Sequence, residues 1–186
     1  MMPPHARLHI EVLYANQEDR LLLSEMGAET FAKAFAPRNT PEDMSLYLER
    51  SFSPTIQAAE LADPDTVFLV AEVGDESVGY ARLREGSAPS QIRASHPIEI
   101  VRFYARPQWI GRHVGTALME ASLSESRARG CDVVWLDVWE ENEKAIAFYK
   151  KWGFAEFGTQ PFRLGNSIQS DLLMARPVPI IANGEP

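Results

Sequence analysis

The stretch EIVRFYARPQWIGRHVGTALM, Glu99 to Met119, decides the fold. Its first part belongs to an apolar run, Ile98 to Ala105, whose β-branched and aromatic residues read as a strand. Pro107 and Gly111 then mark a turn, and a helix follows at once, Val114 to Arg129, closed by Gly130. A second strand, Val133 to Val138, comes next. Strand, turn, helix and strand in this order predict a βαβ crossover, and hence a parallel strand pair at the centre of the domain. The turn is chemically pointed. A helix start exposes unpaired N–H groups and a partial positive charge, which suits an anion such as a pyrophosphate, and Arg112 can add a salt link.

The next stretch, WLDVWEENEKAIAFYKKWGF (Trp135 to Phe154), runs a strand straight into another helix. Large apolar residues alternate with an acid up to Trp139. From Asn142 the period changes, and Ala145, Ile146, Phe148 and Tyr149 share one helical face. Asn142 stands where an N-cap is expected and Gly153 where a C-cap glycine is expected. Packing of aromatics on a sheet would explain this helix; so would a need to aim Tyr149.

Working outward, Leu8 to Tyr14 reads as an opening strand. Asn16 caps a helical stretch with Leu21, Leu22, Met26, Phe31 and Phe35 on its apolar face. Thr40, Pro41, Glu42 and Asp43 form a strong helix start, ahead of Met44, Leu46, Tyr47 and Leu48. Ser53-Pro54 starts a shorter helix ending near Ala62. VFLVAEV and SVGYARL flank the turn GDE as a hairpin, and residues 85–97 form a polar loop. FAEFGTQPFRLG and IQSDLLMARPV close the chain as a strand pair. The expected order is β-α-α-α-β-β-β-α-β-α-β-β, an α/β domain with a mixed, mainly antiparallel sheet. One domain is expected over residues 1–177, with a short tail at 178–186.

The 186 residues are 45% hydrophobic and 24% charged, as a globular domain requires. No apolar run reaches the roughly 20 residues of a membrane helix, and the start lacks a signal peptide, so no membrane partner is expected. The single cysteine, Cys131, has no internal disulfide partner and points to a reducing, cytoplasmic setting. His5, His9 and His96 lie in no metal-ligand spacing, so no metal is expected. The net charge of −8 without a basic cluster argues against nucleic acid and suits a cationic small molecule.

Together, the two quoted stretches resemble the GCN5-related N-acetyltransferase (GNAT) superfamily in order and spacing. Within it, ETFAKAFAPRNTPEDMSLYL and FGTQPFRLGNSIQSDLLM are similar to the flanks of PaiA-like spermidine and spermine acetyltransferases. The resemblance implies a GNAT fold with two splayed strands around the βαβ crossover, and acetyl-CoA as co-substrate without a metal. One departure concerns the phosphate loop, which in the family reads Gln/Arg-x-x-Gly-x-Gly/Ala. Anchoring on Gly115 puts Ile110 at the Gln/Arg position and His113 at the first glycine. Gln108 and Gly111 fit a shifted register, which would start the helix two residues early; the Gly115 register is therefore preferred.

The resemblance further implies that Gly111, Arg112, His113, Val114, Gly115 and Thr116 receive the pyrophosphate. Phe103, Tyr104 and Ala105 would pair with the amide-rich arm of the cofactor, and Asn142, with Lys144 and Ala145 in the same turn, would contact it. Tyr149 matches the general acid that protonates the departing thiolate, close to the cofactor, and Glu99 a base that deprotonates the amine. An outward strand acid is the alternative for Glu99 and a core tyrosine that for Tyr149. The expected acceptor is a small cationic amine such as spermidine or spermine, with distal ammonium groups against Glu42, Asp43, Glu140 or Glu141. An antibiotic, an amino acid or a protein N-terminus are rival acceptors, and a non-catalytic acetyl-CoA-binding regulator is the rival class. The oligomeric state stays open, a homodimer among the options.

Overall fold

A computed structural model describes residues 8–86 and 88–179. The elements are β1 (Glu11–Tyr14), α1 (Arg20–Phe35), α2 (Pro41–Phe52), α3 (Pro54–Ala62), β2 (Thr66–Val73), β3 (Glu76–Glu85), β4 (Pro97–Ala105), α4 (Val114–Ala128), β5 (Val133–Trp139), α5 (Glu143–Lys151), β6 (Ala155–Leu164) and β7 (Ser167–Pro177). They form one seven-stranded sheet in the order β1-β2-β3-β4-β5-β7-β6. Every pairing is antiparallel except β4 with β5. The element order and the mixed α/β sheet are those expected from the sequence. His5 and residues 180–186 of the expected tail lie outside the described residues.

Strand alternation divides the side chains between two faces. Ile98 and Ile100 of β4, Leu136 and Val138 of β5 and Met174 of β7 join Val114, Leu118 and Met119 of α4 in the main core. The other face carries α1, α2 and α3. On α1 the buried set is Leu23, Met26, Gly27, Thr30 and Phe31, spaced i, i+3, i+4, i+7, i+8. Leu21, expected on that face, is 54% exposed, because it lies one position off this stripe. Leu46 of α2 is exposed for the same reason, while Met44 and Phe52 are buried.

The helical layer is tied to the sheet by a buried ion network. Glu60 of α3 accepts from Arg82 at 2.6 Å and from Arg102 at 2.5 and 3.0 Å. Arg102 also donates to the Ser51 carbonyl at 2.8 Å and to Gln57 at 3.2 Å, and lies 4.8 Å from the Phe52 ring centroid. Removing one member of such a set strands the others as buried charges, which costs more than the intact set contributes. Glu60→Ala is expected to lower stability by roughly 3–5 kcal/mol, read from the denaturant midpoint at pH 7.

Candidate functional site

β4 and β5 run parallel but pair only at Pro97/Val133, Ile98/Val134 and Glu99/Trp135. Beyond those residues the strands part, while β4 continues to Ala105 and β5 to Trp139. Each therefore turns an unpaired row of backbone N–H and C=O groups toward the other. A cavity of about 180 Å³ opens at the split, between residues 100–104 of β4 and Asp137, Val138 and Trp139 of β5. Phe31 and Phe35 of α1, Tyr47 of α2 and Phe162 of β6 wall it, and Asp171 of β7 lies in its lining. Phe31 stacks on Tyr47 with centroids 4.4 Å apart, and Phe35 meets Trp139 edge-on at 5.9 Å.

Tyr149 reaches this cavity from α5, packed against Phe103, Phe148 and Phe154 at centroid distances of 6.1, 5.6 and 5.7 Å. Helix α5 forms as the sequence indicates: the Asn142 side chain accepts from the Ala145 N–H at 3.3 Å. Burial, reinforced by Asp137, pushes the Tyr149 hydroxyl above its ordinary pKa, so near neutrality it is a proton donor.

The phosphate loop can be read from the backbone. Gly111 and His113 both have positive φ, 81° and 68°. These are conformations that favour glycine. The Gly115 register agrees with this backbone: His113, at its first glycine place, takes a conformation that glycine favours, and α4 begins at Val114 with Gly115 in its first turn. The first-turn N–H groups of Val114, Gly115 and Thr116 have no intrahelical acceptor. Val114 can offer only its backbone, since its side chain is in the core. A Cβ on Gly115 would point at Phe148, 3.5 Å away. Arg112 lies over the Trp109 ring at 5.2 Å. Anion-ready amides and a split sheet edge fit a long co-substrate that ends in phosphates and carries amides along its arm.

Other expected residues divide cleanly. Phe103, Tyr104, Asn142 and Ala145 line the cavity. Ala105 pairs with Gly79 at the end of β4, and Lys144 is exposed near the mouth with Glu140, Glu141 and Glu143. Glu99 is not brought to the cavity lining. It lies on the paired part of β4, opposite Trp135, and its carboxylate binds Arg84 at 2.6 Å. Burial raises its pKa and Arg84 opposes the shift; accepting a proton would break the ion pair. Of the acids expected to hold distal ammonium groups, Asp43 already accepts from Thr40 and the Asn166 N–H, and Glu141 pairs with Arg38.

The acids that do line the cavity are Asp137 and Asp171, which the sequence reading did not single out. Asp137 interrupts the otherwise apolar strand VVWLDVW, and that was the available signal; Asp171 follows polar residues in SIQSDLLM and carries no such mark. Asp137 accepts from Gln160 at 2.6 Å. Asp171 is 5% exposed, and its Oδ1 is buried without a hydrogen-bond partner. Burial, then repulsion from Asp137 and Glu140, raises its pKa to about 7. Away from the cavity, donor atoms of Glu85, His96 and Cys131 gather within 4.8 Å of one another, a cluster that sequence spacing did not reveal. Glu85 there is shared between His96 and Arg129.

A raised carboxylate pKa means the folded state holds the proton more tightly than the unfolded chain. Stability is then greatest below the unfolded value of about 4 and declines as pH rises to about 7. Asp171→Asn should abolish that decline and leave the variant more stable than the parent at pH 8, by on the order of a few kcal/mol. Melting curves of both proteins at pH 4.5 and pH 8 measure it.

Residues 29–154 match the family described as Acetyltransferase (GNAT) family. A relative from Lactobacillus delbrueckii subsp. lactis, named an uncharacterized N-acetyltransferase in the pepI 3′ region, is 31% identical over 167 residues, covering 90% of this chain and 96% of its own. Among solved structures, the PaiA N-acetyltransferase from Thermoplasma acidophilum in complex with coenzyme A superposes with a TM-score of 0.71 at 20% identity, over 91% of this chain and 99% of that one. The ribosomal-protein-S18-alanine N-acetyltransferase from Escherichia coli gives 0.66 at 18% identity, over 96% and 99%. No helix among the described residues is long and apolar enough to cross a membrane.

Proposed function

The chain belongs to the GNAT family of acetyltransferases, and from that premise we propose that it acetylates a primary amine carried on a slender, cationic small molecule such as a polyamine. The observation that carries this reading is the cavity at the split of β4 and β5, which combines aromatic walls with Asp137 and Asp171. Aromatic faces favour methylene stems and cations, and buried carboxylates favour an ammonium head. Glu140 and Glu143 near the mouth suit further positive charge.

Acetyl-CoA, when bound, supplies the activated acetyl group. The first-turn amides of α4 would hold its phosphates, and the free edge of β4 from Phe103 to Ala105 its amides. Tyr149 keeps a proton ready for the departing sulfur. The polyamine assignment is also supported by resemblance in the flanking stretches around α2 and β7. An acceptor that presents a protein N-terminus is the alternative favoured by the arginines beside the cavity, Arg50 and Arg163, which suit acidic groups.

Acetyl-CoA at 100 times its Kd should raise stability by about 2.7 kcal/mol, seen as a higher melting temperature. Spermidine should be acetylated with a lower KM than n-butylamine, and added salt should raise the spermidine KM as screening grows. Equal efficiency for both amines at all salt concentrations would exclude the polyamine reading. Tyr149→Phe removes only the hydroxyl. It should keep the acetyl-CoA melting shift while turnover falls by roughly 10²–10⁴-fold; wild-type turnover in the variant would make Tyr149 a core residue only.

A further inference from the structure

Asp171 stands apart from Asp137, the other acid of the cavity, and from Glu99 outside the lining. Asp137 is held by Gln160 at 2.6 Å and Glu99 by Arg84 at 2.6 Å. Asp171, on β7 opposite Trp139 of β5 and Gln160 of β6, is 5% exposed with a sealed, unpartnered Oδ1. A buried polar atom left unpaired is costly, and natural cores rarely keep one without a use. The cavity supplies that use, since it contains Tyr149 as well as Asp171.

We propose that Asp171 is the catalytic base that takes a proton from the acceptor ammonium, Asp137 serving as its fixed anionic neighbour. The inference rests on the transferase reading above. Charged and titratable groups around the cavity with Asp171 are Asp137 and Glu140 from the β5 end, Tyr47 from α2, Tyr149 from α5, and Arg102 and Tyr104 from β4. Arg102 is occupied by Glu60 and the Ser51 carbonyl, so it leaves the carboxylate free to bind an ammonium. A base with a pKa of about 7 is half ionised near neutrality, which suits proton uptake followed by release to water.

The step balances. An N–H bond of the ammonium breaks, its electron pair stays on nitrogen, and Asp171 becomes a carboxylic acid. The nitrogen pair forms the C–N bond to the acetyl carbonyl carbon as the C–S bond breaks. Sulfur leaves with its pair and takes the Tyr149 proton, and the excess proton on nitrogen passes to the resulting phenolate. Asp171 then gives its proton to solvent, so each turnover releases one proton.

The test uses the full chain, acetyl-CoA and a panel from n-butylamine to spermidine, with kcat/KM measured from pH 6 to pH 10 on the amine that wild type uses best. Wild type should show an ascending limb near pH 7. Asp171→Asn should lose roughly 10²–10⁴-fold at pH 7. The deficit should shrink as pH approaches the amine's own pKa, where neutral amine no longer needs a base. Its acetyl-CoA melting shift should match wild type. A structural role for Asp171 predicts a deficit independent of pH, and that result, or a variant with wild-type rate and the same limb, overturns the proposal while the transferase reading stands. Absence of both turnover and an acetyl-CoA melting shift in wild type overturns the two together.

Discussion

The parting of β4 and β5 after three paired residues is the constraint on which the rest of the structure depends. A sheet interrupted in its middle leaves two interior edges, and a buried edge with unmet N–H and C=O groups is unstable unless something fills it. On their outer sides the strands stay paired, β4 to β3 with a bulge at Val101 and β5 to β7 without a break. Above the split, aromatic side chains from α5 and β4 pack into the gap, with Phe103, Phe148 and Tyr149 within 6.1 Å of one another by ring centroid. The split therefore produces both a strand-like docking edge and a pocket that reaches through the sheet from one face to the other.

Keeping that gap open requires rigidity on the helical side. The Arg82–Glu60–Arg102 network ties α3 to β3 and β4 just past the point where β4 and β5 diverge. Its charges are buried, so it adds geometric definition more than net stability. Phe52, beneath Arg102, extends the same contact into α2 and the cluster containing Phe31 and Leu164. The aromatic walls of the cavity are thus the inner surface of a helical layer whose position is set by ions at its outer end.

The cavity acids take their character from this frame. Asp137 and Asp171 lie on neighbouring strands of one face, Asp137 opposite Leu173 and Asp171 opposite Trp139. Both pKa values rise through burial. Such a pair opposes stability in the free protein, as functional sites often do. Glu99 differs although burial raises its pKa as well, because Arg84 shares its side of the sheet and neutralises it.

The element order, the parallel pair, the Asn142 cap and the start of α4 at Val114 were all legible in the sequence. Each depends on neighbours in the chain: period, cap residues, and turn residues such as Pro107 and Gly111. The inward place of Tyr149 on α5 and the position of the first turn of α4 were legible too, because helix spacing places them directly. Nothing in its residue type announces the left-handed conformation of His113, although it stands at the first glycine place of the Gly115 register. Asp137 and Asp171 became neighbours only through the β5–β7 pairing, which joins residues over 30 positions apart, and Glu85, His96 and Cys131 likewise gather from separate segments. Whether an acid is a free base or half of an ion pair depends on which strand lies beside it. Sequence determined which residues carry the chemistry of helices and turns; the tertiary fold decided which carboxylates face the cavity, because pairing between distant strands sets burial and partners.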